Sequence, residues 1–472
     1  MLRFKPSALV AFVVVIASLG SLRADAQSIP IQHFIFIIQE NRSFDNYFGT
    51  YPGANGIPAN TLLPEAPGGA PTLKPFLWTK PTIPHDVAHI WQSAWVSYDN
   101  GKMDGFWYSA TYPSCRYYYK LILPAIPVPT PDPKLVKIVN KTSANSAKVA
   151  GDVEEVLSAG GVMDDEDETA PEVGPENEEL ADAEDASATV APKLPSYAKY
   201  VASYYDRTML PNYWELADKF TLCDNFFSAL MGPSRPNHLY TVAAQSGGLV
   251  WDLSPTKNAI YFFPNIADEL ETANISWKYY VGFKPTLETL RNPMPGFDTI
   301  RKNKTELAKV QLSTQFYKDL QNGTLPQVCW IVPNISDSEH PPFNVQTGMN
   351  YVSKLINAVM ATSGTANDVW KNCAIVLFWD DYGGFYDHVA PIHVDTFGFG
   401  FRVPCLVISP YSKAGNVVHT QYDSTAPLAL LEAAYGLAPL TKRDAAPGNN
   451  LLDCFDFSQT PLQPVTLPRP KK

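Results

Sequence analysis

The chain has 472 residues, of which 45% are apolar and 12% aromatic, a composition that is typical of globular proteins and excludes an intrinsically disordered chain. Its net charge of −11 is local, because 15 acids and no Lys or Arg lie between Asp152 and Asp185, and without these acids the balance becomes +4. The sequence has no basic patch of the kind that binds nucleic acid, so we expect no nucleic-acid partner.

Residues 1–26 have the pattern of a secretion signal. Arg3 and Lys5 precede an apolar run from Ala8 to Leu19. The following Ala24-Asp-Ala26 has the small-x-small pattern of a cleavage site. The apolar run is too short to cross a bilayer, and no other run in the sequence is long enough. We therefore expect a secreted or periplasmic protein without a transmembrane segment.

A buried strand is predicted from Phe34 to Ile38, where aromatic and β-branched residues follow one another without interruption. Glu40 and Asn41 come directly after this run. The carboxyl ends of strands form the ligand crevice of open α/β sheets, so these two side chains are candidate metal or substrate ligands. The alternative is an ordinary loop that happens to contain a Glu and an Asn.

Two histidines follow a loop rich in Pro, Gly and Thr that extends from Tyr51 to Pro84. His85 and His89 would share one face of a helix and could both bind a metal ion there. Histidines at the surface or in the core are more common than metal ligands. We favour His89 over His85 as a site residue.

Residues 124–195 differ in composition from the rest of the chain. Prolines at 124, 127, 129, 131 and 133 are followed by a segment rich in Ala, Glu and Asp. Such a sequence cannot bury enough apolar surface to offset the entropy of ordering it. We therefore expect an exposed insertion at 124–195. Residues 461–472 are expected to form a flexible tail.

A turn followed by a helix is predicted around Ser234. Gly232-Pro233 enforces the turn, and Pro236 suits the first turn of a helix. Ser234 would then lie just ahead of a helix N-terminus, where backbone N–H groups and the helix dipole favour an anion such as phosphate. The alternative is that Ser234 only caps this helix.

A second buried strand, from Cys373 to Trp379, ends in two acids. Asp380 and Asp381 can point into one site only if the chain turns, and Gly383-Gly384 permits a turn. Two carboxylates about 4 Å apart repel by about 4 kcal/mol at an effective dielectric of 20, so they must share a proton or a cation. With Glu40 nearby, a divalent cation is the simpler solution.

Other strands and helices alternate along the chain. A strand from Gln327 to Val332 precedes His340, and a further strand is predicted at 403–410. Helices are predicted at 213–220, at 349–360 and from Thr425 to Gly436. This alternation predicts an α/β fold with a mostly parallel central sheet sandwiched by helices.

Six cysteines follow the predicted cleavage site, in a compartment where disulfides can persist. They are Cys115, Cys223, Cys329, Cys373, Cys405 and Cys454. Six cysteines allow 15 pairings, among which the sequence cannot choose. None forms a Cys-x-x-Cys pair, which argues against a thiolate zinc site.

Five segments, taken together, resemble the phosphoesterase family that contains bacterial and plant non-haemolytic-type phospholipases C and a group of bacterial acid phosphatases. In the family's order they are Glu40-Asn-Arg-Ser-Phe-Asp-Asn-Tyr-Phe-Gly49, Asn100-Gly-Lys-Met-Asp-Gly-Phe106, Gly232-Pro-Ser-Arg-Pro-Asn237, Ser338-Glu-His-Pro341 and Trp379-Asp-Asp-Tyr-Gly-Gly-Phe-Tyr-Asp-His388. The resemblance implies an alkaline-phosphatase-like fold. It also implies one phosphoesterase domain over residues 27–460, interrupted by the insertion.

The resemblance further implies a divalent metal cation as cofactor and a phosphate ester, such as a phospholipid, as substrate. Hydrolysis would proceed through a phosphoserine. The implied metal ligands are Glu40, Asn41, Ser234, Asp380 and Asp381. The implied catalytic residues are Ser234, His89, His340 and His388, and the implied substrate-binding residues are Lys102 and Asn237.

The substrate class stays open between two branches of the family. Ser234 resembles the acid-phosphatase branch, since the phospholipase branch often has Thr there and Arg at the position of His238. The aromatic stretch from Phe106 to Tyr112 favours instead a choline head group, which aromatic faces bind by cation–π attraction. A secreted protein that binds glycans or lipids without turnover is the alternative from another class, but it would not need acids at three strand ends.

Overall fold

The structure is a computed structural model that describes residues 29–123, 125–140, 190–254 and 257–468. The strands are β1 (His33–Gln39), β2 (Leu63–Pro64), β3 (Pro71–Leu73), β4 (Phe76–Leu77), β5 (Val136–Asn140), β6 (Ser203–Tyr204), β7 (Thr221–Cys223), β8 (Phe226–Phe227), β9 (Lys257–Tyr261), β10 (Trp277–Val281), β11 (Val310–Leu312), β12 (Val328–Val332), β13 (Cys373–Trp379), β14 (Cys405–Ile408), β15 (Asn416–Val418) and β16 (Tyr422–Asp423). The α-helices are α1 (Phe44–Phe48), α2 (Trp91–Tyr98), α3 (Tyr112–Ile122), α4 (Pro211–Lys219), α5 (Ser234–Ala243), α6 (Ile266–Thr272), α7 (Asp298–Arg301), α8 (Lys304–Leu307), α9 (Thr314–Asn322), α10 (Val345–Met360) and α11 (Ala426–Tyr435).

Eight strands form the central sheet in the order β11-β10-β12-β1-β13-β14-β7-β15. Neighbouring strands are parallel, except that β14 is antiparallel to both β13 and β7. Every residue of β12, β13 and β14 is buried. Because successive side chains of a strand point to opposite faces, both faces of the sheet are covered. This confirms the predicted α/β fold with a mostly parallel central sheet sandwiched by helices.

Strands β1 and β13 bring the two predicted acidic segments together. They pair in parallel from His33 opposite Cys373 to Gln39 opposite Trp379. Both are runs of aromatic and β-branched residues, which suit a strand buried on both faces. Because both strands end at the same level, the residues that follow Gln39 and Trp379 emerge side by side.

A buried carboxylate, Glu339, ties the ends of these strands together. It accepts hydrogen bonds from Tyr47 Oη at 2.6 Å, Gln39 Nε2 at 3.1 Å and Trp379 Nε1 at 3.2 Å, and also from Tyr213 Oη. Burial raises the pKa of Glu339 to about 7, against the lowering effect of the tyrosine hydroxyls. The loop after β12 is thereby fixed against β1 and β13.

Part of the predicted insertion has regular structure. Strand β5 pairs antiparallel with β9, from Val136 opposite Tyr261 to Asn140 opposite Lys257. The Val136 side chain is buried in the main core. The boundaries of the insertion stay a prediction, because its acid-rich part lies outside the described residues, as does the predicted signal peptide.

The predicted flexible tail is docked as far as residue 468, so this expectation was wrong for the part that the structure describes. The Leu467 side chain is buried. Its N–H donates to Asn357 Oδ1 and its carbonyl accepts from Asn357 Nδ2, both at 2.9 Å. A single anchoring leucine among prolines leaves no periodicity in the sequence.

Within the described ranges, no helix is long and apolar enough to span a membrane.

Candidate active site

Four strands of the central sheet that run in the same direction bring polar side chains to one edge. Glu40 follows β1, Asp380 follows β13, and the loop after β12 carries His340. Strand β7 leads through β8 to α5, which begins at Ser234. This edge is formed by the carboxyl ends of the parallel strands, where ligands bind in open α/β sheets.

Three predicted metal ligands surround the Ser234 hydroxyl. Ser234 Oγ lies 3.2 Å from Asp381 Oδ2, 3.3 Å from Asn41 Oδ1 and 3.5 Å from Glu40 Oε2. All four residues are buried. The structure therefore brings the predicted serine, carboxamide and carboxylates into one cluster.

Tight turns aim these side chains. Asn41 has a φ of 58°, and its N–H donates to Asp380 Oδ1 at 2.9 Å. The N–H of Gly383 donates to Asp381 Oδ1 at 2.7 Å, and Gly383 itself has a φ of 59°. A Cβ atom at Gly383 would lie only 2.3 Å from the Asn41 carbonyl oxygen. Both a left-handed conformation and a close approach therefore require glycine here.

The carboxylates of the cluster carry an electrostatic cost. Burial raises the pKa of Glu40, Asp380 and Asp381. At Asp380 the negative charge of Glu40 is the second cause, and the pKa of Asp380 rises to about 6. Oδ2 of Asp380 has no hydrogen-bond partner among the described residues. Oxygen donors that repel one another around an unfilled acceptor fit a divalent cation.

His238, which the sequence did not indicate as a site residue, is also a member of this cluster. Its Nε2 lies 3.0 Å from Glu40 Oε1 and 3.7 Å from Asp380 Oδ2. Burial lowers the pKa of His238 to about 4, so its imidazole is neutral and could serve as a nitrogen ligand. The available signal was its spacing from Ser234, because residues i and i+4 share one face of a helix.

His89 and His340 lie beside the cluster, as expected. His89 Nδ1 donates to the Val87 carbonyl at 2.8 Å, and its Nε2 lies 3.2 Å from Asn41 Nδ2. The rings of His89 and His340 are edge to face, 5.7 Å apart. Burial pulls the pKa of His89 down, but Asp86 and other negative groups outweigh it and the net shift is upward. Burial lowers the pKa of His340.

His388 lies in a different polar cluster, where the structure does not support its predicted place around the phosphate. Its Nδ1 is 2.7 Å from Asp45 Oδ2, and its Nε2 is 3.1 Å from Asn55 Oδ1. Arg402 donates to Asp45 at 3.0 Å and to Asp387 at 2.8 Å. The guanidinium thus pairs with both carboxylates.

Lys102 and Asn237, the predicted substrate-binding residues, form hydrogen bonds with other groups of the protein. Lys102 Nζ donates to Asp99 Oδ2 at 2.8 Å, and its side chain is 63% exposed. The Asn237 amide bonds only to backbone among the described residues, through the N–H and carbonyl of Leu230 and the carbonyls of Gly232 and Pro233. It therefore fixes the loop that presents Ser234.

A second residue that sequence reasoning missed also holds the serine helix. Asp252 Oδ1 accepts a hydrogen bond of 2.8 Å from the backbone N–H of Arg235. The Arg235 guanidinium is buried in an ion pair with Glu288. These contacts fix the first turn of α5, and their partners lie too far along the chain for a local pattern to indicate them.

The aromatic stretch considered as a choline-binding wall is only partly in the core, since Trp107 and Tyr112 are half-buried. Phe106 and Tyr108 are fully buried, and the ring of Phe106 packs against Tyr386 at 5.2 Å and Phe401 at 5.0 Å. Aromatic side chains of this stretch had been favoured for choline because of their type alone. The burial of Phe106 and Tyr108 withdraws these two rings from the argument for a phosphocholine substrate and leaves Trp107 and Tyr112 as the partly exposed rings of the stretch.

Fold and site together define an α/β protein with a serine at a helix N-terminus facing a carboxylate-rich cluster that fits a cation. The model of the Phosphoesterase family matches residues 31–126 and 175–438. The chain therefore belongs to the Phosphoesterase family, as the motifs had indicated.

Curated relatives include two phospholipases C of Mycobacterium tuberculosis. Phospholipase C B is 32% identical over 305 residues, which cover 55% of this chain and 57% of that protein. Phospholipase C A is 26% identical over 491 residues, which cover 91% of this chain and 78% of that protein. The match to phospholipase C B thus spans little more than half of that relative's length.

Among solved structures, the phosphonate monoester hydrolase of Agrobacterium radiobacter is similar with a TM-score of 0.30 and 12% identity. The similarity covers 49% of this chain and 69% of that one. A score of this size carries no argument about activity.

Replacing Gly383 by Ala should destabilise the protein more than the same change at Gly364. Both glycines have positive φ, but a Cβ at Gly364 would meet nothing within 4 Å. Gly364→Ala therefore reports the cost of the left-handed conformation alone, about 1–2 kcal/mol. Gly383→Ala adds the clash with the Asn41 carbonyl. Urea unfolding of both variants measures the difference, and equal losses would contradict the close approach.

Proposed function

We propose that the chain is a secreted, metal-dependent phosphoesterase that hydrolyses phosphate esters through a phosphoserine intermediate, with phospholipase C-like activity. The observation that carries this proposal is the Ser234 hydroxyl at the start of α5, within 3.5 Å of Glu40, Asn41 and Asp381. The enzyme would consist of one phosphoesterase domain over residues 27–460, interrupted by the insertion. The predicted signal peptide supports a secreted or periplasmic location.

The cluster supplies a binding site for a divalent cation. Glu40, Asp380 and Asp381 would hold the ion with their carboxylates, Asn41 with its amide oxygen and Ser234 with its hydroxyl. When bound, the ion lowers the pKa of the serine hydroxyl and stabilises charge on the phosphoryl oxygens. The N-terminal end of α5 faces the same point and favours the negative phosphoryl group through the helix dipole.

Ser234 is the nucleophile in this proposal. Its Oγ attacks phosphorus, the ester oxygen leaves with a proton, and water later releases phosphate from the serine. Asn41 is held for this step, because its Nδ2 donates to His89 Nε2 and its Oδ1 therefore points to the hydroxyl.

Proton transfer to the leaving oxygen falls to the histidines beside the cluster. Nδ1 of His340 donates to the Pro341 carbonyl at 2.6 Å, so the Nε2 of the neutral ring is unprotonated and can take up the serine proton and pass it to the leaving oxygen. His89, whose pKa is raised by the net effect of its surroundings, would act as a second donor only after its Nε2 is protonated and releases the Asn41 amide. We leave His388 out of the proposed site, since its ring nitrogens face Asp45 and Asn55.

An acid phosphatase is the second candidate function. The serine at position 234 supports it, since that residue resembles the acid-phosphatase branch of the family. The named relatives support phospholipase C instead. A metal and serine site stabilises a phosphoryl group whichever ester carries it, so the surrounding wall must decide between monoester and diester.

Ser234→Ala should lower turnover of a phosphate ester about 10³-fold or more, because the attacking atom is removed. Phosphoenzyme trapping by acid quench and mass spectrometry should find no phosphoserine in the variant. Ser246→Ala is the matched control, since Ser246 is also buried and its Oγ has no partner among the described residues. Near-normal turnover in Ser234→Ala would show that another group attacks phosphorus.

Asp380→Asn should weaken metal binding at least about tenfold, because it removes a negative charge while it keeps the shape of the side chain. Inductively coupled plasma mass spectrometry of the dialysed protein gives the metal content. Asp387→Asn is the control from the other acidic cluster, where Arg402 balances the charge, and it should keep its metal. Equal retention in both variants would place the cation elsewhere.

The substrate class is tested with two chromogenic esters, p-nitrophenyl phosphate and p-nitrophenylphosphorylcholine. We expect cleavage of both and a higher kcat/KM for the diester, as the relatives suggest. Ser234→Ala protein, prepared in parallel, shows whether a contaminating phosphatase contributes. Strong monoester turnover without diester cleavage would establish acid phosphatase and exclude the phospholipase C-like activity.

A further inference from the structure

Two cysteines that are far apart in sequence meet inside the protein. Sγ of Cys223 lies 3.5 Å from Sγ of Cys454, although 231 residues separate them. Both residues are fully buried, and in the structure both are thiols. The sulfurs would have to approach by only about 1.5 Å to reach the length of a disulfide bond.

Hydrogen bonds of the backbone hold both of these cysteines in place. Cys223 lies on β7, which is paired on one side with β14 and on the other with β15. The carbonyl of Cys454 accepts hydrogen bonds from the Lys413 N–H at 3.0 Å and from Thr221 Oγ1 at 3.1 Å. Because Thr221 belongs to β7, the Cys454 turn is docked directly on the strand that carries Cys223, which brings the two sulfurs together.

A third cysteine is close but is held differently. Cys405 lies directly opposite Cys223 on the antiparallel strand β14. Cys454 instead approaches Cys223 from a turn outside the sheet, and it is with Cys454 that the 3.5 Å contact between sulfurs is made. The other cysteines, Cys115, Cys329 and Cys373, have no cysteine partner in the described structure.

We propose that Cys223 and Cys454 form a disulfide bond when the protein folds in an oxidising compartment. Each thiol gives up its proton, a bond forms between the two sulfurs, and the two electrons reduce a disulfide of the oxidant to two thiols. A small-molecule disulfide such as oxidised glutathione is an oxidant of this class. Because both sulfurs are buried, the bond forms during folding, before the C-terminal segment closes over β7.

The bond would fasten the C-terminal segment to β7, which lies next to the edge strand β15 of the sheet. Cys454 lies in the segment between α11 and residue 468, which also contains Asn449 and Leu467. A cross-link over so long a loop removes much conformational freedom from the unfolded chain. The proposal requires export of the protein but does not depend on its phosphoesterase activity.

Peptide mapping tests the proposal directly, because trypsin places the six cysteines on six different peptides. The full chain is refolded in a buffer of reduced and oxidised glutathione, alkylated and digested without reduction. We expect a cross-linked pair of the peptides 220–257 and 444–471, and alkylation of the other four cysteines. Six alkylated cysteines, or a link between Cys223 and Cys405, would overturn the assignment.

Two variants provide a second test of the proposed pair beside peptide mapping. Cys454→Ala should abolish the difference in melting temperature between protein refolded with glutathione disulfide and protein refolded with dithiothreitol. Cys405→Ala removes the neighbouring thiol and should preserve both that difference and the cross-linked peptide. Loss of the difference in Cys405→Ala but not in Cys454→Ala would refute the proposed pair.

Discussion

Burial of carboxylates is the constraint on which the rest of this structure depends. A carboxylate removed from water must regain hydrogen bonds or an opposite charge, at a cost of several kcal/mol if it does not. Glu339 is compensated by four donors from different segments. Asp45 and Asp387 both pair with the guanidinium of Arg402.

The cluster around Ser234 is the exception to this rule. Its three carboxylates have few donors from the protein, and Asp380 retains an oxygen without a partner among the described residues. The protein therefore supplies partners for its buried carboxylates at Glu339 and around Arg402, but leaves the carboxylates around Ser234 incompletely paired. That contrast distinguishes a cation site from an ordinary buried salt bridge better than the number of acids does.

The sequence predicted the central elements because their signal is local. Unbroken aromatic and β-branched runs indicated β1 and β13, and the polar residues directly after them indicated the cluster. Strand β10 gave no such signal, since Lys278 interrupts its apolar run to reach Asp319 on a neighbouring helix. For a related reason the partners of His388 were not predicted, because Asp45 and Asn55 come from the opposite end of the chain. Tertiary contacts of this kind leave no pattern in a single sequence.

The antiparallel strand β14 has a consequence for the order in which the protein matures. It separates β7, which leads to Ser234, from β13, which leads to Asp380. Neighbouring strands lie about 4.8 Å apart, so the serine loop must reach back across about 10 Å of sheet. Since β13 and β14 come late in the chain, a nascent polypeptide that already contains the serine and Glu40 lacks the surface on which they meet. The proposed site can therefore assemble only after synthesis has passed β14, which ends at Ile408.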